Sequence, residues 1–114
     1  MNTYTFVERH ENGLTEHKVR LFANRYASNN TLAVVAQEEQ QKGFWTPFAT
    51  LTVNLDGIGT QGMLQDEKTA FVDTNNCPGA VEFLIENGLA KDAGFMGKSG
   101  FCTYPLMVFD TDKF

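Results

Sequence analysis

The plainest pattern along the chain is alternation. In "FWTPFATLTVNL", residues 44–55, Ala49, Leu51, Val53 and Leu55 fall on one side. Phe48, Thr50, Thr52 and Asn54 fall on the other, giving the two-residue period of a half-buried strand. Pro47 has no ladder donor, so it belongs near the start of that strand or on an edge. "TYTFVER" sets Tyr4, Phe6 and Glu8 against Thr5, Val7 and Arg9, and "HKVRLFANRY" sets Val19, Leu21 and Ala23 against Lys18, Arg20, Phe22 and Asn24. Between them the Asn12-Gly13 pair readily takes positive φ, which predicts a hairpin. After a turn at "SNN", residues 28–30, the β-branched run "TLAVVAQ" reads as a central strand and "EEQQKG" as a loop or one frayed helical turn. "DGIGTQG" is a glycine-rich break, "TAFVDT" a short strand and "KDAGFMGKSG" a glycine-spaced loop. "FCTYPLMVF" closes the chain as a strand apolar on both sides, with a bulge or an edge at Pro105.

Only "VDTNNCPGAVEFLIENGLA", residues 72–90, carries a helical period. Val81, Leu84, Ile85 and Gly88 recur at i, i+3, i+4 and i+7, with Glu82 and Glu86 pointing outward. Asn75 or Asn76 is placed to cap the start, and Pro78 in the first turn forfeits only a donor without a helical partner. Gly88 stops the helix with a left-handed residue, and Leu89 folds back on the last turn. The elements together predict an α+β fold: an antiparallel sheet of five or six strands with one main helix (about 77–87) packed on one face. With no repeat or linker, residues 1–114 read as a single domain.

Composition narrows the function. A 42% hydrophobic share with ten Phe is that of a folded globule. Nine Lys and Arg against fourteen Asp and Glu give a net charge of −5, which opposes non-specific phosphate binding. No nucleic-acid partner is expected, since Lys18, Arg20, Arg25, Lys42 and Lys98 would all have to converge on one face. There is no signal-like start and no apolar run of the ~18 residues a membrane span needs, so a cytoplasmic location away from membranes is expected. Cys77 and Cys102 are expected there as free thiols, although spacing alone leaves a disulfide between them open.

At "FATLTVNL", "AFVDTNNCPGAVEFLIENGLA" and "KSGFCTYPL" the chain resembles domain of unknown function family 4313. The motif words fall here at Val72–Pro78 and Ser99–Pro105. The resemblance implies a setting on bacterial mobile elements and phages rather than a reaction. Small proteins in that setting often bind host machinery, inhibitors of defence among them.

Cys77 is the first candidate for chemistry, because a thiol near free helix N–H groups can lose its proton. Thiol catalysis would need His10 or His17 to reach it across the fold. The competing reading is a small apolar side chain beneath the helix start, and that reading is preferred. Cys77, Cys102, His10 and His17 lack the short ligand spacing of structural zinc, so no metal or other cofactor is expected. "GKS" at 97–99 lacks the glycine five positions upstream that a phosphate loop requires, since Asp92 stands there. Asp73 reads as the acceptor that sets the strand-to-helix turn. Phe44, Trp45, Phe48, Tyr104 and Pro105 remain as candidates for a protein-interaction patch. The reading is a non-enzymatic binding protein acting on a protein partner or by self-association as a homo-oligomer; a mobile-element-encoded inhibitor of host defence is its concrete form. The alternative is a small thiol-dependent enzyme using Cys77 with a histidine.

Overall fold

The computed structural model describes every residue of 1–114 except 56, 58, 59, 61 and 65. The first four strands, β1 (Tyr4–His10), β2 (Gly13–Arg25), β3 (Leu32–Gln41) and β4 (Phe44–Thr50), form an antiparallel sheet in sequence order. The register pairs Phe6 with His17, Leu21 with Ala36 and Ala36 with Ala49. Phe6, Val19, Leu21, Val34 and Ala36 therefore share one face and enter the main core. The predicted hairpin forms, but its loop is Glu11-Asn12, and Gly13 opens β2 at φ 140°. "EEQQKG" is not a loop or helical turn. β4 pairs with Glu38, Glu39 and Gln41 and holds the segment extended, β2 also pairs with Glu38 through Val19, and the Glu39 carboxylate accepts the Gly43 N–H at 3.2 Å to close the turn.

The long strand predicted over 44–55 is two strands. Ala36 pairs with Ala49 while Gln37 pairs with Pro47, so Phe48 is an extra residue in a bulge. The bulge turns Phe48 to the core side, against the rings of Phe6 (5.2 Å) and His17 (4.7 Å). At Leu51 the chain changes sheet: its N–H donates to Val34 at 2.8 Å, and its carbonyl accepts from Asp73 at 2.9 Å. The run continues as β5 (Thr52–Val53), which pairs with β6 (Thr69–Val72).

The second sheet, in the order β5-β6-β8-β7, is completed by β7 (Ala90–Ser99) and β8 (Cys102–Phe109). Ala70, Val72, Met107 and Phe109 meet the first sheet across the main core. Phe71, Tyr104 and Leu106 face the other way into a smaller core with Leu55. This two-sided burial accounts for the unbroken apolar run of the last strand. "KDAGFMGKSG", expected as a loop, is edge strand β7. Its glycines serve geometry: Gly94 takes φ 86° where the ladder breaks between Asp92 and Met96, and Gly97 lies against Phe71 and Leu55. Pro105 stands just past the last β6 pairing, at Leu106, and beside that break, so β8 carries it although it is an interior strand.

The helix α1 (Ala80–Glu86) links β6 to β7. It is shorter than the predicted 77–87. Its buried face is Ala80, Phe83 and Leu84, whereas Ile85 is exposed. The face is rotated because the helix packs against β1 and β7, bridging the two sheets instead of lying on one, with Phe83 5.0 Å from the ring of Phe6. Its end is as predicted. Leu89 N–H donates to Leu84 O at 2.8 Å and Gly88 N–H to Ile85 O at 3.1 Å, with Gly88 at φ 66°, the paired bonds of a Schellman stop. The expected single sheet of five or six strands is thus two four-stranded sheets, and among the described residues no helix is long and apolar enough to cross a membrane.

Candidate functional site

The segment leading into α1 is built around Asp73. Its Oδ1 accepts the Asn76 N–H at 3.1 Å, its Oδ2 accepts Asn76 Nδ2 at 2.9 Å, and its carbonyl accepts the Cys77 N–H at 2.9 Å. Asp73 sets this turn, as its sequence position suggests. Neither Asn75 nor Asn76 caps the helix; Gly79 occupies the N-cap position, with no side-chain cap.

Cys77, only 8% exposed, belongs to the main core and also lines a cleft of about 430 Å³ with Phe6, Glu8, Phe48 and Gly79. Burial, then the carboxylates of Asp73 and Glu8, push its thiol up to about 11. A group with that value is thiolate in roughly one molecule in ten thousand at pH 7. Cys102 is also a free thiol and is half-buried at the start of β8.

The histidines are engaged elsewhere. His10 Nε2 lies 2.8 Å from Thr15 Oγ1 and 3.4 Å from Glu8. His17 Nδ1 is hydrogen-bonded to Glu38, and its Nε2 lies 3.2 Å from Glu8 Oε1. Carboxylates only accept, and neutral imidazole has one donor, so both bonds require the imidazolium. Burial opposes that charge, but the hydrogen bonds and fields of Glu38 and Glu8 outweigh it and raise His17 above its ordinary 6.5. His17 in β2 thereby ties β1 to β3. The raised value fixes the sign: its stabilisation is full below the unfolded value and is lost as pH rises through the higher folded one. Urea midpoints of the wild type should fall with rising pH in the window above 6.5, and His17→Gln should remove that fall; parallel curves would refute the bridge.

A protonated thiol, a His17 ring held by two carboxylates and a His10 ring turned to Thr15 and Glu8 do not make a thiol–imidazole pair. No hydrogen bond joins either histidine to Cys77, and among the described residues no group of three or more His, Cys, Asp or Glu could hold a metal ion. "GKS" lies within β7 rather than at the opening of a helix.

The five aromatic and proline candidates are not one patch. Tyr104 is buried in the smaller core, Pro105 is half-buried in β8, and Phe48 points to the main core. Phe44, 61% exposed, and Trp45 remain at the start of edge strand β4. Here the structure brings to Trp45 partners that the sequence pattern did not place beside it. The Arg20 guanidinium lies 4.4 Å from the centre of the Trp45 ring and 5.3 Å from that of Phe22, while its Nε donates to Gln37 at 3.0 Å. Alternation puts Arg20 and Phe22 on the side of β2 away from the core, but only the register of three strands brings Trp45 under Arg20. Beside this stack the Phe48 bulge leaves a depression of about 330 Å³ lined by Val35, Gln37, Pro47 and Thr50. Lys18 is 3.1 Å from Glu39, the residue paired with Trp45 across β3 and β4. The other basic candidates disperse: Arg25 faces Glu67 at 3.9 Å, Lys42 sits at the β3–β4 turn and Lys98 near the end of β7.

No curated protein and no solved structure matches the chain significantly. Residues 20–114, a span holding Arg20, Trp45, the Asp73 turn and both closing strands, match the family described as "Domain of unknown function (DUF4313)", and the chain belongs to that family.

Proposed function

We propose that the protein is a non-enzymatic binding protein that engages a protein partner through the outer face of its first sheet, centred on Trp45. The observation that carries this reading is the Arg20–Trp45 stack, held by the Arg20–Gln37 hydrogen bond beside the depression at Pro47. A tryptophan and an arginine already fixed in position lose little entropy on docking, and these two residue types dominate binding hot spots. The surrounding Lys18, Glu39 and Gln37 form a polar rim around the apolar centre. The concrete form is an inhibitor of a host defence enzyme encoded on a mobile element, an inference from the family resemblance and the net charge of −5.

The test is co-purification from a bacterial host under cross-linking, with phage and plasmid survival scored in the same cells. Wild type should recover one specific protein and alter survival. Trp45→Ala and Arg20→Ala should each weaken recovery by about tenfold or more, the loss of a hot-spot side chain. Recovery unaffected by either change would reject this face. Recovery of the chain's own second copy alone would replace a foreign partner with self-association.

A further inference from the structure

We propose that a groove at one end of the second sheet is a binding site for a small molecule bearing phosphate or carboxylate oxygens. The groove, about 460 Å³, lies away from the Trp45 face and is lined by Lys68, Gly88, Lys91, Phe109, Asp110 and Lys113 among others. Three of the chain's nine Lys and Arg residues thus meet in one place on a protein of net charge −5. Backbone pairing fixes the positions of all three. Phe109 N–H donates to Lys68 O at 2.8 Å, and Lys91 pairs with Val108 across the β7–β8 ladder. Lys113 follows in the 3₁₀ turn Thr111–Lys113.

The charges are available. Among the described residues the ion pairs of the basic side chains engage Arg9, Lys18, Arg25 and Lys113, and neither Lys68 nor Lys91 has a carboxylate partner. Lys113 Nζ donates to Gly88 O at 3.1 Å and stands 3.6 Å from Asp110, and an ammonium has three donors. Three ammonium groups against one Asp110 carboxylate leave the groove net positive. Phe109 and its neighbours Ala90 and Val108 supply an apolar floor. A volume of this size suits a small ligand, and the acidic remainder of the surface disfavours a long polyanion.

The experiment is an amide chemical-shift titration of the full chain with inorganic phosphate and, separately, citrate, at fixed ionic strength so that general screening stays constant. Saturable shifts confined to amides of Gly88–Lys91 and Val108–Lys113 are expected, and the tighter probe names the preferred oxyanion. Lys68→Ala and Lys91→Ala should each weaken that binding by about tenfold, the loss of one charge-assisted contact. Lys42→Ala, which removes the same charge far from the groove, should leave it unchanged. Linear or scattered shifts with both probes, or an equal loss in Lys42→Ala, would overturn the proposal.

Discussion

Gly97→Ala is expected to lower the stability of the protein by about 1–3 kcal/mol or more, seen as a fall in the urea midpoint. A β-carbon at Gly97 would stand 2.5 Å from Phe71 and 2.8 Å from Leu55. Neither neighbour can retreat cheaply. Phe71 lies in β6, all four residues of which are buried, and Leu55 is packed in the same small core. The steric origin can be tested separately from backbone effects. Gly97→Ala combined with Phe71→Leu should cost less than the sum of the two changes, because the smaller side chain makes room for the methyl group. Gly79→Ala is the control for crowding: its added carbon meets Phe6 at 3.4 Å, ordinary contact, so its loss should stay within the about 1 kcal/mol that alanine costs at an N-cap. A neutral Gly97→Ala would show that β7 does not sit on the smaller core as described.

The second large effect concerns the two thiols. In the native protein at neutral pH, Cys102 should take up iodoacetamide readily, while Cys77 should react about a hundredfold or more slowly than an ordinary cysteine. An unperturbed thiol near 8.5 is a few per cent thiolate at pH 7, whereas Cys77 is pushed up to about 11. Its 8% exposure adds a barrier to the reagent. Mass spectrometry should find one label at Cys102 in the folded chain and two after unfolding. Fast, selective labelling of Cys77 would instead favour the thiol-dependent enzyme using that residue.

What could be read from the sequence divides by the range of the forces involved. The helix stop was legible because Leu84 and Ile85 accept from Leu89 and Gly88 within six residues. The Asp73 turn was legible for the same reason, although its bonds go to Asn76 and Cys77 and not to a helix cap. The helix's buried face was legible only in part: Leu84 was read correctly, but Phe83 was not, because it is selected by Phe6 on a strand more than seventy residues away. Strand β7 looks like a loop because its glycines permit a close approach to Phe71 and a turn in φ, purposes invisible without the neighbouring strands. The Phe48 bulge and the change of sheet at Leu51 likewise depend on which strand lies alongside. Trp45 was visible as a candidate, but its Arg20 partner needed the register. Lys68, Lys91 and Lys113 are too far apart in the chain to suggest a shared groove.

Trp45 is the chain's single tryptophan, so its fluorescence reports on the proposed binding face alone. The direct measurement is its emission and acrylamide quenching in the free protein and in the purified complex with the recovered partner. The account predicts that binding shifts the emission to shorter wavelength and shields the ring from quencher. A complex in which Trp45 emits and quenches as it does in the free protein would place recognition elsewhere and contradict it.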